Sequence, residues 1–228
     1  MRIAEIYNSI QGEGFLTGTD SIFVRASGCN LRCQWCDTPY ASWEPEGDDI
    51  SVDAILAKVD GFDGSHVVVT GGEPMLFAEL IPLCTRLHQA AYHITVETAG
   101  TLYLPVECDL MSISPKLANS TPTYEDALDW HMRHETARHA PDVIRQLVQD
   151  HCYQVKFVID EPADCEEVDR YLAGFPQIDR SRVLLMPQGT DTEVLEEVEA
   201  WLKPYCSQHD FGYCPRKQIE WFGLERRT

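Results

Sequence analysis

Cys29, Cys33 and Cys36 fall within one short run, Cys29-Asn30-Leu31-Arg32-Cys33-Gln34-Trp35-Cys36. Thiolates are soft ligands, and this spacing on a tight loop suits iron or zinc. A closed zinc site wants four ligands, and so does a plain electron-transfer iron–sulfur cluster. Three thiolates hold three irons of a 4Fe–4S cube and leave the fourth iron open to a small molecule. The bland alternative is a zinc clip. It lacks an obvious fourth ligand beside it, and His66 or His93 qualifies only if the fold brings one close.

A second set of unusual residues follows. Gly71-Gly72-Glu73-Pro74, Thr98-Ala99-Gly100-Thr101, Ser114-Pro115-Lys116 and Pro187-Gln188-Gly189 each come directly after a β-prone run. An open iron can take the amino and carboxylate groups of S-adenosylmethionine (SAM). Electron transfer into the sulfonium then releases a deoxyadenosyl radical.

The elements that must position these groups read as alternating strands and helices. Strands are expected at Ile22–Ser27, His66–Thr70, His93–Glu97, Leu110–Ser114, Gln154–Ile159 and Val183–Met186. Several are nearly continuous apolar runs, as parallel strands buried on both faces should be. Helices are expected at Ser51–Val59, Phe77–Ala90, Pro141–His151, Pro162–Leu172 and Thr192–Leu202, the last capped by Asp191. The pattern predicts an α/β fold of about six units, a parallel sheet or partial barrel, in a single domain over residues 1–228. Residues 118–140 are too polar for a core helix and read as an excursion lengthening one crossover. Residues 205–228 read as a C-terminal extension. Parallel α/β folds build their sites at the carboxyl ends of strands, so the unusual residues should meet on one face.

Composition narrows the partners. Lys and Arg number 18 against 37 Asp and Glu, a net charge of −19, which argues against nucleic acid or anionic membrane as the main partner. No apolar run reaches the ~20 residues of a membrane span. The start Met1-Arg2-Ile3-Ala4-Glu5-Ile6 enters a strand pattern rather than a signal peptide, so a cytoplasmic protein is expected. Cys84, Cys108, Cys152, Cys165, Cys206 and Cys214 show no ligand spacing; a second metal site at Cys206 and Cys214 is the minor alternative to buried thiols. His134-Glu135…His139 resembles a zinc-protease helix, but its i, i+5 spacing turns the second ring off the face.

The cysteine run together with Gly71-Gly72-Glu73-Pro74 resembles the radical SAM superfamily, Trp35 occupying the aromatic position before the last cysteine. The resemblance sharpens to the 7-carboxy-7-deazaguanine synthase family. Glu5–Gly14, with Gln11-Gly12-Glu13-Gly14 at its end, is similar to that family's N-terminal substrate loop. Phe23–Asn30, Cys36-Asp37-Thr38, Glu97–Thr101, Ser114-Pro115-Lys116 and Leu185–Gly189 are similar to further family blocks.

The resemblance implies a trimmed, six-stranded barrel of the radical SAM type. It implies an enzyme that converts 6-carboxy-5,6,7,8-tetrahydropterin to 7-carboxy-7-deazaguanine and ammonia. Hydrogen abstraction at C6, ring contraction, regeneration of SAM and a need for Mg2+ come with it. Cys29, Cys33 and Cys36 would hold the 4Fe–4S cluster, and Thr38 would bind Mg2+. Ile10, Gln11, Gly12, Arg25 and Thr70 would meet the pterin, Arg25 through its carboxylate. Trp35, Cys36, Asp37, Gly72, Ser114, Pro115, Lys116, Pro187, Gln188 and Gly189 would bind SAM, with the Gly-Gly-Glu-Pro stretch offering backbone and carboxylate acceptors. A homodimer and a reducing partner, flavodoxin or ferredoxin, are implied too. The block Tyr213–Gly223 is similar to the family's last strand, but Gln218 stands where family members often have His. Two other readings compete. A glycyl-radical activase explains the cluster but not Gln11–Gly14 or Thr38. A non-catalytic iron–sulfur or zinc module would not need the Gly71–Pro74 and Ser114–Lys116 turns on the same face.

Overall fold

The computed structural model describes every residue except Asp126, which falls inside the 118–140 excursion. Nine strands form one sheet: β1 (Arg2–Ile10), β2 (Asp20–Ala26), β3 (Asp48–Asp49), β4 (His66–Gly71), β5 (His93–Thr98), β6 (Leu110–Ile113), β7 (Tyr153–Ile159), β8 (Val183–Pro187) and β9 (Gly212–Tyr213). The helices are α1 (Val52–Val59), α2 (Leu80–Gln89), α3 (Leu128–Ala137), α4 (Pro141–Asp150), α5 (Pro162–Ala173), α6 (Thr192–Gln208) and α7 (Lys217–Phe222).

Strand order is β3-β1-β2-β4-β5-β6-β7-β8-β9. From β2 through β4 to β9 every pairing is parallel, while β1 adds to β2 antiparallel. The six long parallel strands are those expected. Their apolar runs are buried on both faces: β6, β7 and β8 are buried at every position. Phe157, Ile22, Ile94 and Met111 are among the largest fully enclosed side chains.

Three departures follow from packing. The expected N-terminal loop begins as β1, because Ile3 through Ile10 pair with β2 and only residues 11–14 leave the sheet. Helix α6 runs past the expected Leu202 to Gln208, across Pro204. Val198, Leu202 and Cys206 form one buried stripe at i, i+4, i+8, and its burial carries the helix beyond the proline. The expected C-terminal extension therefore begins inside α6. The connection from β5 to β6 carries no helix among the described residues, so the βα repeat is incomplete there.

The excursion folds into α3, and α3 braces the cysteine loop. His134 is fully buried, and burial lowers its pKa to about 4, so the ring is neutral. The Arg32 amide donates to His134 Nδ1 at 3.1 Å. That leaves Nε2 to donate to Ser120 Oγ at 2.9 Å. The Arg32 guanidinium lies 4.0 Å over the Trp130 ring. His139 instead packs edge-on against Tyr171 and Phe175. The zinc-protease resemblance is thus a hydrogen-bonded brace and a separate ring contact.

Candidate active site

A cavity of about 570 Å3 opens at the carboxyl ends of the parallel strands. Each strand delivers its last inward residues to it: Arg25 from β2, Thr70 from β4, Glu97 and Thr98 from β5, Ser112 from β6, Lys156 and Val158 from β7, Met186 from β8. Because these strands all run parallel, their carboxyl ends lie on one face.

The cysteine loop forms one wall, with Cys29, Cys33 and Cys36 all lining the cavity. None is in a disulfide. Burial pushes the Cys29 thiol up to about 11 and Cys33 up to about 12. The protons leave such thiols only when a metal cation replaces them. The Leu31 amide points at Cys29 Sγ at 3.4 Å, and Ser42 Oγ lies 3.1 Å from Cys36 Sγ. Hydrogen-bond donors around the sulfurs suit an iron–sulfur cluster. Among the described residues no group of three or more His, Cys, Asp or Glu side chains is gathered around a single-ion position. His66 and His93 begin β4 and β5, at the amino ends of the strands and so at the opposite end from the cavity. Their rings lie 4.8 Å from each other, far along the strands from the cysteines.

The loop is seated by glycines. A Cβ on Gly72 would stand 2.2 Å from the Gly28 carbonyl and 2.4 Å from that of Ala41. Gly71 has φ +132, and a Cβ on it would stand 2.1 Å from the Ala26 carbonyl. Backbone meets backbone here, which only glycine allows. Glu73 departs from the expected role. Its carboxylate is fully buried and lies outside the cavity lining, with Thr98 Oγ1, the Ala99 amide and the Met75 amide as its donors at 2.9–3.1 Å. It ties the β4 turn to the β5 turn.

Most of the other expected residues converge. Ile10, Gln11, Gly12, Arg25, Thr38 and Thr70 line the cavity. So do Trp35, Asp37, Gly72, Ser114 and Lys116. Pro115, Pro187, Gln188 and Gly189 do not. The 187–189 turn acts through an intermediary: Arg216 donates to the Gly189 carbonyl at 2.5 Å and pairs with Asp37. Lys116 curls back on Ser114, donating to its carbonyl at 2.7 Å and hydroxyl at 2.9 Å. Thr38 sits before a short 3-10 turn, yet its hydroxyl makes no cap; its contact is Cys36 Sγ at 3.8 Å. An oxygen left uncommitted on a cavity wall is a fitting ligand for a hard cation. Of the remaining thiols, Cys206 is buried in the core and Cys214 accepts from the Gly14 amide at 3.1 Å. No second metal site forms between them among the described residues.

Arg25 is held from behind. Its Nε donates to Glu5 at 2.7 Å and Nη2 to the Tyr7 hydroxyl at 2.8 Å. Burial works against its charge, but the Tyr7 and Tyr40 hydroxyls and Glu5 outweigh it and raise its pKa. Glu5 also accepts from Tyr40 and stands 3.6–3.7 Å from Arg226 and Arg227 of the tail.

Glu13, Glu97 and Arg216 fall within the family-like blocks Glu5–Gly14, Glu97–Thr101 and Tyr213–Gly223 without roles of their own, and Lys156 falls in none; together with Gln218 they form the polar floor. Glu13 pairs with Lys156, stands 3.4 Å from Arg216 and accepts from Gln218 Nε2 at 2.5 Å. Thr70 donates to Glu97 at 2.6 Å. The available signal was Lys156 itself, a lysine inside an apolar strand.

Burial alone would raise the Glu13 pKa, but the Lys156 and Arg216 cations win and hold it at about 2. A carboxylate depressed on folding stabilises fully above its unfolded pKa and loses that contribution as pH falls through the folded one. In urea titrations of the cluster-free protein, wild type will therefore lose more stability than Glu13→Gln as pH falls from about 4.5 to about 2. Parallel losses would remove Glu13 from the account.

Comparison with known proteins gives consistent results. The Radical SAM superfamily model matches residues 23–120. The 7-carboxy-7-deazaguanine synthase of Rhodopirellula baltica is 44% identical over 227 residues, covering 99% of this chain and 88% of that protein. That of Halobacterium salinarum is 41% identical, covering 95% and 88%. The crystal structure of QueE from Escherichia coli aligns with a TM-score of 0.67 at 24% identity, over 94% of this chain and 92% of that one, a likeness of fold.

Proposed function

Because the chain belongs to the 7-carboxy-7-deazaguanine synthase family of the radical SAM superfamily, we propose that its cavity binds 6-carboxy-5,6,7,8-tetrahydropterin and contracts the ring to 7-carboxy-7-deazaguanine with loss of ammonia. The family is one of radical SAM enzymes, and a 4Fe–4S cluster and SAM come with it. The observation that carries the pterin reading is the shared cavity: three free thiols on one wall and a floor of paired carboxylates and cations.

When bound, the cluster and SAM supply the deoxyadenosyl radical that takes the C6 hydrogen. The chain's own residues do the rest. Cys29, Cys33 and Cys36 hold the irons. The close-packed Gly71-Gly72 turn offers main-chain groups to the methionine end of SAM. Trp35 and Asp37, with Ser114-Pro115-Lys116 and the 187–189 turn behind Arg216, shape the nucleoside end. Ile10, Gln11 and Gly12 face the flat pterin with main-chain groups, and Thr70 adds a hydroxyl. Arg25 meets the substrate carboxylate with the guanidinium that Glu5 and Tyr7 orient. Thr38 gives Mg2+ an oxygen next to the cysteine loop, so metal and Arg25 together would aim C6. The tail from Gly223 to Thr228 lines the cavity.

A single domain, a homodimer and an electron-donor partner of the flavodoxin or ferredoxin kind complete the proposal. Among the described residues no helix is long and apolar enough to cross a membrane. A cytoplasmic place fits the need for a low-potential reductant.

Thr38→Ala tests the metal assignment. With reductant, SAM and the pterin, its product formation should fall and respond little to added Mg2+, while wild type responds strongly. A variant with wild-type Mg2+ dependence would take Thr38 out of the metal site.

A further inference from the structure

Strand β7 is buried at every position, yet a lysine sits in its middle. Lys156, 6% exposed, lies between Val155 and Phe157, both fully buried. A buried ammonium is costly unless it is paired, and an apolar side chain of similar size would serve a strand better. Its partners come from two separate elements. Lys156 Nζ pairs with Glu13 of the N-terminal loop and stands 3.8 Å from Glu97 at the end of β5. All three line the cavity. The other groups facing this pair are Arg216 and Gln218 on Glu13, Thr70 on Glu97, and the Cys214 thiol. In the same wall Gln218 Oε1 is buried with no hydrogen-bond partner among the described residues. The floor therefore holds two carboxylates and an unmet carbonyl, all of them acceptors.

We propose that Lys156 is a positioning residue for substrate recognition: it clamps Glu13 and Glu97 as fixed acceptors, so that the cavity selects a ring whose edge is rich in N–H donors, such as an aminopyrimidinone. The inference rests on the pterin reading above. A carboxylate accepts and never donates while ionised. A ring lacking the amino group would leave a buried acceptor unpaired, and sites built this way reject such analogues strongly. Without the ammonium, Glu13 would lose the largest of the charges that oppose its burial and keep Arg216 and Gln218, so its pKa would rise.

The test is anaerobic binding of 6-carboxytetrahydropterin, and of its analogue lacking the 2-amino group, read by tryptophan fluorescence and without turnover. Wild type should prefer the amino compound across pH 5–8. Lys156→Met should bind it about 10- to 100-fold more weakly, the size of a lost charge-assisted contact. Its binding should also weaken further as pH falls. Lys156→Arg should recover most of the affinity. Glu97→Gln, which keeps the Lys156–Glu13 pair and hence the fold, should lose much of the preference for the amino compound. Wild-type affinity and preference in Lys156→Met, or undiminished preference in Glu97→Gln, would overturn the proposal. A wild-type protein that shows the preference but releases no deazaguanine would contradict the assigned reaction while supporting Lys156.

Discussion

Cys33→Ser will fold and will make no product. The side chain is 8% exposed, and the neighbouring contacts run through its backbone: the Cys33 carbonyl accepts from Trp43 Nε1 at 3.0 Å and from the Cys36 amide at 3.2 Å. Exchanging sulfur for oxygen leaves those bonds in place, so the cluster-free variant should unfold within about 1 kcal/mol of wild type. A serine hydroxyl is a poor iron ligand, and two thiolates cannot hold three irons. Iron content should drop and SAM cleavage should vanish, a loss of the whole enzymatic acceleration, at least ~10^6-fold. Iron analysis with cleavage and product assays reads all three. A Cys33→Ser protein that still cleaves SAM would mean the three-thiolate site is misassigned.

The second large effect is structural. Gly72→Ala will drive a methyl group into the carbonyls of Gly28 and Ala41, at 2.2 and 2.4 Å. Both are backbone atoms of the segments that carry the cysteine loop, so neither yields as a flexible side chain would. Forced overpacking of this kind costs about 1–3 kcal/mol or more. Because the clash lies between the loop and the β4 turn, iron incorporation should fall with stability. Gly174→Ala is the control. Gly174 ends α5 at φ −81, and its nearest neighbour would be the Tyr171 carbonyl at 3.3 Å. Thermal unfolding and iron content should change strongly in the first variant and little in the second. Equal, small effects would show that the loop and turn can move apart.

What could be read from the chain followed local chemistry. The apolar runs Val67–Val69, Val155–Ile159 and Val183–Met186 announced buried parallel strands, and the carboxyl ends of those strands are where the cavity formed, though the 187–189 turn does not line it. Asp191 capped its helix as expected, accepting from the Glu193 amide at 2.9 Å. The misses came from partners distant in sequence. Glu13 and Lys156 are 143 residues apart, and Glu13 and Gln218 are 205 apart. Local spacing carries no trace of such pairs. Glu73 was expected to face a ligand because the resemblance implies it for Gly71–Pro74; its buried donors Thr98 and Ala99 lie at the end of the next strand. The 118–140 excursion read as too polar for a core helix because the one buried residue of α3 is His134, a polar residue serving as a brace.

The central claim is that this cavity carries a tetrahydropterin through ring contraction. The most direct measurement uses 6-carboxytetrahydropterin deuterated at C6, incubated anaerobically with the reconstituted protein, SAM, Mg2+ and a reductant, with products read by mass spectrometry. The account predicts 7-carboxy-7-deazaguanine lacking the label, ammonia, and deuterium recovered in SAM. Cleavage of SAM to unlabelled deoxyadenosine with no deazaguanine would contradict it.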